Sequence, residues 1–70
     1  MPDLALLTIA GPVATLSLNR PEKRNALSLD LLGALHERAD ELAGREDLLC
    51  VVITGSGPVF CAGMDLKGVL

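Results

Sequence analysis

The sequence predicts an α/β fold: a strand hairpin, a helix, a buried strand and the start of a second helix. Three observations carry that prediction. Over residues 13–18, Ala14, Leu16 and Leu18 alternate with Val13, Thr15 and Ser17, residues 29–43 are helix formers with an apolar stripe, and residues 48–54 form an unbroken aliphatic run. Period two marks a strand with one buried face, apolar positions at about 100° per residue mark a helix, and a continuous β-branched run marks a strand covered on both faces. In chain order, strand, helix and buried strand make a β–α–β unit, whose crossover is expected to be right-handed.

The segment LALLTIAGPVATLSLNRP reads as two strands around a turn at Gly11 and Pro12. In the second strand Ala14, Leu16 and Leu18 form one face and Val13, Thr15 and Ser17 the other. Pro21 ends that element, and EKRNAL follows as a short polar connection. Ser28 offers a helix N-cap and Asp30 an anion in the first turn, so a helix is expected from Leu29 to about Ala43. Its apolar stripe is Leu32, Leu35, Ala39 and Leu42, with Glu37, Asp40 and Glu41 facing water. Gly44 is a natural stop. The run LLCVVIT, residues 48–54, gives the buried strand, as in a parallel sheet. GSGP then breaks the chain, Val59 and Phe60 read as a short extended piece, and a new helix starts near Asp65 or Leu66.

Seventy residues hold one domain at most, spanning residues 1–70; a chain this short sits near the margin of independent stability. Half of its residues are hydrophobic, yet Phe60 is the one aromatic residue. That much aliphatic surface implies other protein around it, as further chain or as other subunits. A net charge of −3 argues against a nucleic-acid or anionic-membrane partner. No apolar run reaches the ~18 residues of a membrane span, and the first residues lack the pattern of a secretory signal. Cys50 and Cys61 fit no metal-ligand spacing, so no metal is expected, and a cytoplasmic location with two free thiols is.

Several stretches invite a chemical reading. Gly55-Ser56-Gly57 follows a strand, but no G-x-G-x-x-G completes a dinucleotide fingerprint and no Gly-Lys-Ser/Thr completes a phosphate loop. A tight turn is the reading that remains. In CAGMD, Ala62 and Gly63 allow close backbone approach, and N–H groups at a strand-to-helix bend can hold an anion or a developing oxyanion. The plainer alternative is that Gly63 relieves a turn and Asp65 caps a helix; the motif alone favours that alternative. Cys61 lacks an identifiable base and reads as packing, and His36 reads as a partly packed or surface histidine. Arg20, Lys23 and Arg24 cluster before the helix. In a β–α–β unit Lys23-Arg24 and CAGMD both fall at the carboxyl ends of strands, where open α/β folds bind ligands. A cationic loop beside an N–H-rich bend suits a phosphorylated ligand with a reactive carbonyl.

LNRPEKRNALS, followed after one helix by VVITGSGPVFCAGMDLK, resembles the crotonase (enoyl-CoA hydratase/isomerase) superfamily over essentially the whole chain. The two segments in order are far more specific than either alone. The resemblance implies a ββα spiral of which this chain is an N-terminal portion, trimers or hexamers of the whole protein, and coenzyme A thioesters as substrates, with no other cofactor. It also implies that Lys23, Arg24, Ala26 and Leu27 border the CoA nucleotide and pantetheine, while Ala62, Asp65, Leu66 and Lys67 lie along the thioester pocket. Ala62 would meet CoA through its backbone, and Lys67 would lie near a CoA phosphate. Met64 would give one backbone N–H to the oxyanion hole, and its side chain is larger than the small residue often found there.

The activity so implied is enoyl-CoA hydration through an enolate-like anion. The family's second oxyanion glycine and its catalytic glutamates match nothing in these residues, since Glu22, Glu37, Glu41 and Glu46 all precede the pocket segment. The isolated chain is therefore expected to be inactive. The alternative is a non-catalytic piece that binds CoA weakly or associates with full-length homologues.

Overall fold

The computed structural model describes residues 3–69; residues 1, 2 and 70 of the expected domain lie outside the described residues. Strands β1 (Ala5–Ala10) and β2 (Val13–Leu18) form an antiparallel hairpin in which Ala5 faces Leu18 and Ala10 faces Val13. Strand β3 (Cys50–Gly55) lies parallel to β2, with Val13 beside Cys50 and Leu18 beside Gly55. The strand order is β1-β2-β3, so β2 is central. Between β2 and β3 the chain makes a 3-10 turn, Pro21–Lys23, and helix α1, Leu29–Ala43; helix α2, Leu66–Val69, follows β3. The expected α/β arrangement is present.

The alternation in β2 becomes the core. Ala14, Leu16 and Leu18 are buried, together with Ala5 of β1 and Leu31 of α1. Each leucine so buried contributes roughly 1.5–3 kcal/mol. Ser28 caps α1 as expected, its Oγ accepting from the Leu31 N–H at 3.1 Å. Gly44 ends the helix at φ −89°, so its left-handed freedom is not what stops it.

Two expectations are corrected. First, the helix face toward the sheet is turned by about one residue from the predicted stripe. Leu31 is fully buried and Ala34, Leu35, Arg38 and Leu42 are partly covered, whereas Leu32 and Ala39 are exposed. Arg38 explains the shift: its Nε donates to the Ala5 carbonyl of β1 at 3.1 Å, so its aliphatic stem occupies a place on the packed face. Second, β3 is not a buried strand. Val51, Val52 and Ile53 are 44–56% exposed, because β3 is the edge of the described sheet and no described layer covers it on either face. Val59 and Phe60 form no strand either, and Phe60 is exposed.

Candidate functional site

The parallel pairing of β2 with β3 sends two loops off the same end of the sheet, residues 19–28 after β2 and residues 56–65 after β3. The first loop is tightly wound. Pro21 opens the 3-10 turn, and Arg24 and Asn25 then both adopt φ of 56°. A left-handed conformation is uncommon outside glycine, but asparagine tolerates it better than most residues. The winding turns the Asn25 side chain inward, where it is completely buried.

Asn25 uses that position fully. Its Oδ1 accepts the Arg20 N–H at 2.8 Å, and its Nδ2 donates to the carbonyls of Ser56 at 3.0 Å and Val59 at 2.8 Å. One amide thus closes its own loop and grips the neighbouring one. Gly55 is where the two come closest: a Cβ there would lie 2.5 Å from the Phe60 carbonyl oxygen and 2.8 Å from Asn25 Nδ2. Only glycine leaves room for that approach.

Backbone bonds continue the join. The Ala62 N–H donates to Arg24 O at 3.0 Å, Leu27 N–H to Gly63 O at 2.8 Å, and Asp65 N–H to Leu27 O at 3.0 Å. Leu27 and Met64 therefore form an isolated parallel bridge, which Gly63 enters at φ +96°. In a parallel bridge one residue bonds to the neighbours on either side of its partner, so the partner's own N–H and C=O point away. The partner here is Met64. Its N–H donates to no group among the described residues. Arg20 completes the join from the side: its Nη1 donates to Ala26 O and to Asp65 Oδ2, both at 2.9 Å.

An open hollow of about 410 Å³ lies against this junction, lined by Arg20, Lys23, Ala26, Asp65 and Lys67. The Asp65 carboxylate is matched by Arg20, and Lys23 and Lys67 make no ion pair among the described residues, so the hollow is electropositive. Of the expected site residues, Lys23, Ala26, Asp65 and Lys67 line it directly. Leu27 and Met64 form the bridge beside it, and the Ala62 and Arg24 backbones bond to each other. Leu66 begins α2 with its side chain exposed.

Sequence reasoning missed two residues of this junction as site elements, Arg20 and Asn25. The available signal was an asparagine set inside a proline-led turn, in a residue type that accepts left-handed backbone. Cys61, by contrast, accepts only the Gly63 N–H at 3.4 Å, and His36 is an exposed helix residue 3.6 Å from Asp40. Cys61 contacts no base among the described residues, and the His36–Asp40 pair is open to solvent.

The family model for enoyl-CoA hydratase/isomerase matches residues 13–70, both loops included. The chain belongs to the enoyl-CoA hydratase/isomerase (crotonase) family. It is 41% identical over 66 residues to enoyl-CoA hydratase EchA19 of Mycobacterium tuberculosis, covering 94% of this chain and 24% of that one. It is also 41% identical over 69 residues to a putative enoyl-CoA hydratase/isomerase, YngF, of Bacillus subtilis, covering 96% of this chain and 26% of the relative. Among solved structures, a probable enoyl-CoA hydratase/isomerase from Mycobacterium abscessus superposes with a TM-score of 0.89 at 41% identity, over 97% of this chain and 27% of that chain. An enoyl-CoA hydratase from M. tuberculosis gives 0.88 at 42%, over 96% and 30%. The chain thus spans about a quarter of the length of the curated family members it matches.

Proposed function

We propose that this chain forms one wall of an acyl-CoA thioester site in a protein of the enoyl-CoA hydratase type. The Met64 N–H is one oxyanion donor, and Lys23 and Lys67 face the phosphates of CoA. The observation that carries this reading is the Leu27–Met64 bridge, which turns the Met64 N–H away from the loop it is anchored to. The electropositive hollow beside it supplies the complementary charge. A donor held in this way polarises a thioester carbonyl and stabilises the enolate-like anion formed as water adds to the neighbouring carbons. One such donor is worth roughly 3 kcal/mol of transition-state stabilisation. Because the N–H does this work, the bulk of the Met64 side chain bears on the shape of the acyl pocket and leaves the donor intact. The same reading has the whole protein as a cytoplasmic trimer or hexamer.

The test is a graft. This chain replaces the matching quarter of EchA19, and the chimera is assayed for hydration of crotonyl-CoA. Retained turnover supports the reading; a folded chimera that binds no acyl-CoA refutes it. The 70-residue chain alone is expected to show no turnover.

A second reading is favoured by the exposure of β3. It makes the chain a non-catalytic piece that binds CoA weakly and associates with a full-length homologue. Turnover by the chain alone that depends on the Met64 loop would eliminate it.

A further inference from the structure

We infer that Asn25, together with Arg20, is the positioning pair of this site: the two set the relative register of the loops and thereby hold the Met64 N–H where a thioester carbonyl meets it. The inference rests on the oxyanion role proposed for Met64.

Its grounds are geometric. Asn25 is the one fully buried polar side chain among the described residues, and all of its hydrogen bonds serve the two loops. Its amide fixes the second loop at Ser56 and Val59, ahead of Met64, while Arg20 fixes it at Asp65, directly after Met64. Between those anchors three backbone bonds of the junction tie the second loop to the first among the described residues. A parallel bridge of one residue pair is too short to define its own register, since a slip by one residue turns every group to the opposite side. A slip here would point the Met64 N–H back toward Leu27. Hydrogen bonds from an amide and a guanidinium to fixed carbonyls and a carboxylate are directional and therefore resist such a slip. Neither side chain needs to touch the reacting atoms.

The test uses crotonyl-CoA isotope-labelled at its thioester carbonyl and bound to the 70-residue chain. Affinity is read by calorimetry and carbonyl polarisation by difference infrared spectroscopy. The wild-type chain is expected to lower the carbonyl stretching frequency. Asn25→Gly tolerates the left-handed backbone and deletes the amide. It is expected to keep affinity within about threefold, since the lysines remain, and to lose the frequency shift. Arg20→Gln, which cuts the tie to Asp65, is expected to reduce the shift as well. A merely structural role would move affinity and frequency together.

A full shift in both variants overturns the positioning role and leaves the function of Met64 standing. If Asn25→Gly fails to fold by circular dichroism, Arg20→Gln decides: a reduced shift supports the inference and an unchanged one overturns it. No binding or no shift in the wild-type chain overturns the oxyanion reading, and this inference with it.

Discussion

The two ends of the β2–β3 pair are built in opposite ways. At the amino end the connection is a plain surface turn. The N–H groups of Leu49 and Cys50 both donate to Pro12 O, at 2.7 and 3.4 Å, and the nearby ion pair of Arg45 and Asp47 is open to solvent. At the carboxyl end a fully buried amide, a largely buried Arg20–Asp65 pair and three loop-to-loop backbone bonds join the chain after β2 to the chain after β3. Fully exposed ion pairs contribute little, whereas a buried polar group left without its partners costs about 1–3 kcal/mol. A sheet connection needs only the first kind of construction. The second kind holds particular backbone groups in place, and it stands at the end of the sheet that carries the Met64 N–H.

Removing the largest asymmetry is the most direct way to break that comparison. Asn25→Ala leaves the Arg20 N–H and the carbonyls of Ser56 and Val59 without their side-chain partner. It is expected to cost on the order of 3 kcal/mol in urea-induced unfolding. A smaller loss is expected for Gly55→Ala, about 1–3 kcal/mol, because the added methyl collides with the Phe60 carbonyl and the Asn25 amide. Faster hydrogen exchange at the Leu27 and Asp65 amides would show that it opens the junction while the hairpin stays closed.

The amino end supplies the least effect. The hydrogen bond from Arg45 holds the Asp47 carboxyl below its usual range, and the same bond raises the guanidinium. A depressed folded value means that the contribution is present above the ordinary carboxylate range and is lost as pH falls through the folded value. Asp47→Asn should therefore flatten the acid limb of the stability–pH curve slightly, and less than either loop variant changes stability. A loss as large as that of Asn25→Ala would mean the two ends are energetically alike.

Much of this was legible in the sequence because the signals are local. Ser28, the span Leu29–Ala43 and the alternation of Ala14, Leu16 and Leu18 each depend on neighbours a few residues away, and each stands as read. The gathering of Lys23, Ala26, Asp65 and Lys67 followed from the order of elements and the paired motifs, since parallel strands send their following loops to one end. What was not legible depends on distant partners. The value of Asn25 comes from carbonyls 31 and 34 positions away, and that of Arg20 from a carboxylate 45 positions away. The run LLCVVIT, residues 48–54, announced a strand suited to being covered, but an apolar run does not say what covers it. On α1, Arg38 took a packed position through its aliphatic stem, which a stripe drawn from apolar residues alone leaves out.

In its proposed role the junction presents the Met64 N–H to a thioester carbonyl. Amide NMR of the chain titrated in parallel with crotonyl-CoA and with CoA lacking an acyl group tests it most directly. The Met64 amide is expected to move downfield with the thioester and stay in place with CoA, while the Leu27 and Asp65 amides, already bonded across the junction, hold their positions. A Met64 amide that ignores the thioester, or responds equally to both ligands, would contradict the claim.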